Sequence, residues 1–119
     1  MKGISAYREN AVTTQSRGRV IVLLYDGAIK FLRQAVDCLQ REDWAGKGVY
    51  INKAVAVIDE LDVSLDMENG GEIAENLRRL YDFMRRRLSQ ANMQRDAKGV
   101  RDVITLLEDL SGAWKAIAE

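Results

Sequence analysis

Apolar residues recur three and four positions apart from Val20 to Leu39: Val20, Ile21, Leu24, Ala28, Phe31, Leu32, Ala35, Cys38 and Leu39. That spacing puts them on one face of an α-helix, and it runs without a break through Asp26-Gly27. Asp-Gly between apolar runs is a strong hairpin signal, yet a turn would end a period that persists on both sides. The pattern predicts a helix over about 17–41 with Ser16 as its N-cap. It points Asp26 away from the core face and sets Gly27 on the shoulder of that face. A missing side chain there admits another backbone, from a neighbouring helix, from the N-terminal arm or from a partner.

The same period returns three times. Asp43 is the expected N-cap of a helix over about 44–67, with Ile51, Ala54, Val55, Ile58, Leu61 and Leu65 inward. The "ENGG" at 68–71 supplies glycines of the kind that close helices in a left-handed turn. Ile73, Leu77, Leu80, Met84, Leu88 and Ala91 mark a third helix over about 72–93. Asp96 then caps a fourth over about 97–118, carrying Val100, Val103, Ile104, Leu107, Leu110, Trp114 and Ile117. Residues 1–15 have only Ile4, Tyr7 and Val12 as sizeable apolar anchors and read as an arm or latch. The expected fold is all-α: an antiparallel up-down-up-down four-helix bundle over 16–119 with a short N-terminal arm. Its connections are short, and its helices are about 33–37 Å long at 1.5 Å per residue.

Two helices carry more apolar positions than one inward stripe needs. Val22, Ile29 and Val36 are spaced by seven on the first, with Tyr25 and Leu32 between the two stripes; Val49, Ala56 and Val63 repeat the spacing on the second. Such residues either fill the shoulders of the bundle or pack under the arm, or they form a groove for a partner segment. Both hold if the arm covers the groove until a partner displaces it. On the groove reading, Ile29→Asp folds normally and loses partner binding, as does Tyr7→Ala.

Composition narrows the chemistry. The chain has 119 residues with equal numbers of acidic and basic groups, no proline, one cysteine and no histidine. Absent histidine removes imidazole base catalysis and the Glu-x-x-His metal sites of helical bundles. A lone Cys38 allows neither an internal disulfide nor a zinc cluster, and fits a reducing compartment. No glycine-rich phosphate loop is present, so no cofactor and no metal is expected. An enzyme built on carboxylates has only Asp26 to suggest it. Neither the N-terminus nor any apolar run suits export or membrane insertion, which leads to a cytoplasmic expectation. The six arginines of residues 72–95 stand against three acidic groups, and Arg85-Arg86-Arg87 are consecutive. They form either a solvated helix face or a surface for an acidic partner or nucleic acid. Stacking aromatics are missing there.

The blocks "LLYDGAIKFL" at 23–32 and "SLDMENGGEIAENLRRLYDFMRRRL" at 64–88, "AN" at 91–92 and Trp114 resemble the FliS family of flagellar secretion chaperones. The likeness runs in order from Tyr7 to Trp114. It departs where the family usually has Ser-Pro before the first helix, since Arg17 and Gly18 follow Ser16 here. A looser arm-to-helix hinge is the expectation. The resemblance implies a non-enzymatic bacterial cytosolic protein. It would bind the C-terminal region of flagellin, one chaperone per flagellin, prevent premature polymerisation and deliver its client to the flagellar export apparatus. It also implies a client-binding role for Ile4 and Tyr7. With the surplus stripes, the candidate binding residues are Ile4, Tyr7, Val22, Tyr25, Ile29, Val36, Val49, Ala56 and Val63. The alternative is a small helical regulatory or nucleic-acid-binding protein using the third helix's arginines.

Overall fold

A computed structural model describes residues 17–118. Four α-helices follow in order: α1 (Arg17–Gln40), α2 (Trp44–Val63), α3 (Gly71–Gln94) and α4 (Ala97–Ala118). Each helix packs on its chain neighbours, and α4 closes back on α1. This is the all-α bundle that the four amphipathic periods imply. Ser16, Ile4, Tyr7 and the arm at 1–15 lie outside the described residues.

The helix ends follow from local hydrogen bonding. Asp43 accepts from the Gly46 amide at 2.9 Å, which fixes the start of α2. Asp96 accepts from Lys98 N–H at 3.0 Å at the head of α4. Between α1 and α2, Glu42 takes φ 59°; between α3 and α4, Arg95 takes φ 53°. Two short reversals thus rest on single left-handed residues.

The α2–α3 connection differs from expectation. α2 ends at Val63, not near 67, where the exposed Ser64 bends its hydroxyl back to donate to the Leu61 carbonyl at 2.8 Å. Asp66 then organises a tight turn. Its carboxylate accepts from the Asn69 backbone and side-chain amides at 3.0 Å each, and its carbonyl accepts from Gly70 N–H at 2.7 Å. The two glycines therefore open α3 instead of closing α2. Gly70 is the N-cap, where a Cβ would stand 2.5 Å from the Asp66 carbonyl oxygen, and Gly71 adopts φ 55°.

The core runs along the axis. Tyr25, Leu32, Ile51, Ile58, Leu61, Met84, Leu88 and Leu107 are almost fully enclosed, with Ala28, Ala35, Ala54 and Ala91 letting the helices approach. The buried stripe of α1 is Tyr25, Ala28, Ile29, Leu32, Ala35, Cys38 and Leu39, rotated from the expected face. The reason is position. α1 packs on both α2 and α4, so its apolar face is wider than a single seam, and Tyr25 and Leu32 sit at its centre. Asp26 accordingly faces α4, accepting from the Ser111 hydroxyl at 2.9 Å with Lys115 Nζ at 3.5 Å. It does not point away. In α3 the register also turns by one residue: Ala74 and Tyr81 are inward and Ile73 is exposed.

Gly27 admits no close neighbour: a Cβ there would meet nothing within 4 Å among the described residues. The neighbouring-helix explanation of this glycine is thereby removed. A mid-helix glycine costs about 1 kcal/mol against alanine, so Gly27→Ala is expected to raise stability by about that amount. Thermal unfolding followed by circular dichroism would show the melting temperature rise by several degrees; an unchanged or lower value refutes the assignment of open space.

Candidate functional site: an apolar cleft at one end of the bundle

Where the α2–α3 connection meets the start of α1 and the last turns of α4, the four helices enclose a cleft of about 230 Å³. Ile21 comes from α1, Leu61 from α2, Leu65 from the connection, Ile73, Leu77 and Tyr81 from α3, and Trp114 from α4. Its walls are mostly apolar, with Arg17 and Asp66 among the polar exceptions. The cleft exists because of helix geometry. Residues that belong to a core stripe by period lose their facing neighbours where α2 stops at Val63. Ile73 is left 74% exposed at the wall, and Ile117, in the same last turns of α4, is 73% exposed.

Beneath the cleft, the Tyr81 hydroxyl is hydrogen-bonded to the Tyr25 hydroxyl, joining α3 to α1 across the bundle. Both rings are almost fully buried. Burial raises the pKa of each phenol above its ordinary range, so both stay protonated at neutral pH.

The structure separates the candidate binding residues into groups. Tyr25 and Ile29 are core residues, at 0% and 6% exposure; the expectation that they present an outward stripe is corrected. Val22 is half-buried, and Val36 is half-buried against the core cluster. Of their stripe, Ile29 stands beside α4, lining a cleft with Glu108 and Gly112. Val49, Ala56 and Val63 do form an exposed row along the outside of α2. Val63 ends α2, and the next two residues, Ser64 and Leu65, line the cleft. Period alone assigns Ile73, Leu77 and Trp114 to the core and leaves Tyr81 out of the inward stripe, taking Leu80 in its place. The signal that separates them is the mismatch between the Ile73–Leu77 stripe and the Tyr81–Met84–Leu88 stripe within one helix.

A second, polar cleft lies between α1 and α4, bounded by Asp26, Arg33, Glu108 and Lys115. Arg33 pairs with Glu108 at 2.8 Å, which with the Asp26–Lys115 pair makes an antiparallel ladder. These groups are exposed, and such pairs contribute little each.

The α3 arginines are mostly engaged with neighbouring helices. Arg85 reaches Asp59 and Asp62 of α2 at 3.0 Å each and Asp82 at 2.5 Å. Arg78 also holds Asp62 at 3.0 Å. Arg87 bridges to Asp102 of α4 at 3.2 Å. Burial disfavours charge on Asp62, but the Arg78 and Arg85 hydrogen bonds outweigh it and hold the carboxyl below the usual range. Arg86 is the member of the run with no ion pair among the described residues. The run therefore stitches α3 to both neighbours more than it offers a free basic face.

Other chemistry finds little support. Cys38 is buried and free, and burial pushes its thiol up, the reverse of an activated nucleophile. Among the described residues no cluster of three potential metal ligands occurs, and no helix is long and apolar enough to cross a membrane.

Comparison with known proteins agrees with this architecture. The family model described as flagellar protein FliS matches residues 1–119. The flagellar secretion chaperone FliS of Salmonella typhimurium is 44% identical over 121 residues, covering 98% of this chain and 90% of that protein. The Bacillus subtilis flagellar secretion chaperone FliS is 33% identical, over 93% of this chain and 82% of that one. A solved structure described as a flagellar chaperone from bacteria superposes with a TM-score of 0.81, covering 98% of this chain and 94% of that one. At 18% identity it speaks to the fold. With a matching family model over the whole chain and two such relatives, this chain belongs to the FliS family of flagellar secretion chaperones.

Proposed function

We propose that this chain holds the C-terminal region of flagellin in the bacterial cytosol, one chaperone per flagellin. It thereby blocks premature polymerisation and keeps the client ready for the flagellar export apparatus. The observation that carries the reading is the apolar cleft at the end of the bundle, with the exposed Val49 and Val63 of α2 as further apolar surface. A folded protein with no other use for that surface would cover it; a chaperone keeps it for an apolar client segment.

A client that is disordered alone gives up conformational entropy on binding, so a long contact yields moderate net affinity. Moderate affinity suits release without nucleotide hydrolysis. Residues 1–15 act as the latch in this scheme, with Ile4 and Tyr7 as its apolar anchors. They precede Arg17, which itself lines the cleft, so the arm is tethered at the place the client needs. Val22 and Val36 contribute through their exposed edges, Tyr25 and Ile29 only through the walls they support.

The test is mixing the purified chain with a flagellin C-terminal fragment, followed by size exclusion with light scattering. One copy of each in the complex is expected. Separate elution at micromolar concentrations would sink the proposal, and a steeply salt-dependent complex with nucleic acid instead would favour the arginine-face alternative.

A further inference from the structure

We propose that Tyr81 is a specificity-determining donor. Its hydroxyl selects, from the client segment that enters the cleft, a neutral carbonyl oxygen set among apolar side chains. The inference rests on the cleft being the client site and adds what the client must present there.

The argument is a count of protons. Each phenol carries one O–H donor. The Tyr25 and Tyr81 hydroxyls bond to one another, so one proton serves that bond and the other is left over. The Tyr25 hydroxyl has the Trp114 indole as a further partner, but an indole N–H only donates, so it takes up none of the phenolic protons. The spare proton has two possible owners. Tyr25 is fully enclosed and does not line the cleft, whereas Tyr81 does. A proton left on Tyr25 would be stranded in the core, which costs about as much as losing a hydrogen bond outright. The favoured arrangement has Tyr25 donating to Tyr81 and Tyr81 donating toward the cleft.

Water entering an open cleft accepts that proton. A client segment that displaces the water has to supply an acceptor in its place, or leave a buried donor unmet. The surroundings restrict which acceptor. Leu61, Leu77 and Trp114 line the same space, whose one cation among the described residues is the solvent-exposed Arg17 at the first residue of α1, and an ionised carboxylate held at Tyr81 among the apolar groups would lose its hydration. A carbonyl oxygen fits, from the client's backbone or from an Asn or Gln side chain. A purely apolar helix, whose carbonyls are spent on its own hydrogen bonds, fits less well. The pair thus lets an apolar cleft reject segments that match only in hydrophobicity.

Two variants separate this from a packing role. Tyr81→Phe removes the spare donor; Tyr25→Phe removes the mutual bond but leaves the Tyr81 proton free to donate. Titration calorimetry with the flagellin C-terminal fragment is expected to show Tyr81→Phe weakening binding about 2- to 12-fold, the range of one neutral hydrogen bond. Tyr25→Phe should bind within twofold of the unaltered chain, although both variants melt earlier. Equal weakening by both variants would overturn the proposal, because the pair would then act through packing. Normal binding by Tyr81→Phe while Ile73→Glu fails to bind would overturn it too, leaving the cleft as client site. Normal binding by Ile73→Glu would remove the cleft reading itself. Repeating the titration with the fragment's Asn and Gln residues changed to Ala identifies the acceptor. Loss of the Tyr81→Phe effect in one of them names a side chain, and its persistence in all names a backbone carbonyl.

Discussion

Ile29→Asp is expected to cost about 3–5 kcal/mol of folding stability, enough to leave the bundle near the edge of unfolding. Ile29 is 6% exposed and belongs to the central cluster with Tyr25 and Leu32. The change removes a buried aliphatic side chain, which by itself costs about 2–5 kcal/mol in truncation series. It also introduces a carboxylate that must stay protonated or pay for desolvation. Arg33 and Lys115 stand nearby in the polar cleft, but they already face Glu108 and Asp26. A domain of this size holds roughly 5–15 kcal/mol in all. Denaturant unfolding would show the loss directly. A variant that unfolds at the unaltered midpoint would return Ile29 to the surface stripe that the sequence alone suggested.

Ile73→Glu should do the opposite: fold as well as the unaltered chain and lose its client. Ile73 is exposed and sits in the first turn of α3, where a carboxylate interacts favourably with the helix dipole. At the cleft wall the same carboxylate would face an incoming apolar segment. Burying it unpaired costs several kcal/mol, so binding of the flagellin fragment is expected to fall at least 100-fold. Calorimetry and a thermal melt on one preparation check both halves. Undiminished affinity means the client lies elsewhere, with the α2 row as the next candidate.

These two variants mark what the sequence made legible. Four helices and their caps at Asp43 and Asp96 follow from periodicity and local chemistry, both of which act over a few residues. The rotation of α1 does not. Whether Ile29 or Val20 turns inward depends on α1 being gripped from two sides, and the helical period is blind to that. Asp26 shows the same limit: its partner Ser111 lies on α4, far along the chain. The cleft was invisible for a different reason. Its walls are ordinary core residues, and they become a site only because Ser64 ends α2 before Leu65 can join it. Of the outward residues, Val49, Ala56 and Val63 were readable because helix faces that point to solvent need no knowledge of neighbours.

The cleft draws its walls from opposite ends of the described chain, Arg17 and Ile21 on one side and Trp114 on another. During synthesis α1 and α2 can pair as soon as both have left the ribosome, but the cleft is unfinished until Trp114 has been made and α4 has closed on α1. That closing contact has the largest sequence separation in the bundle, so it carries the largest loop-closure cost of the helix pairings. With the cleft as the proposed client site, competence to hold a client arrives together with completion of the fold, and a half-made chain has no finished site with which to trap one.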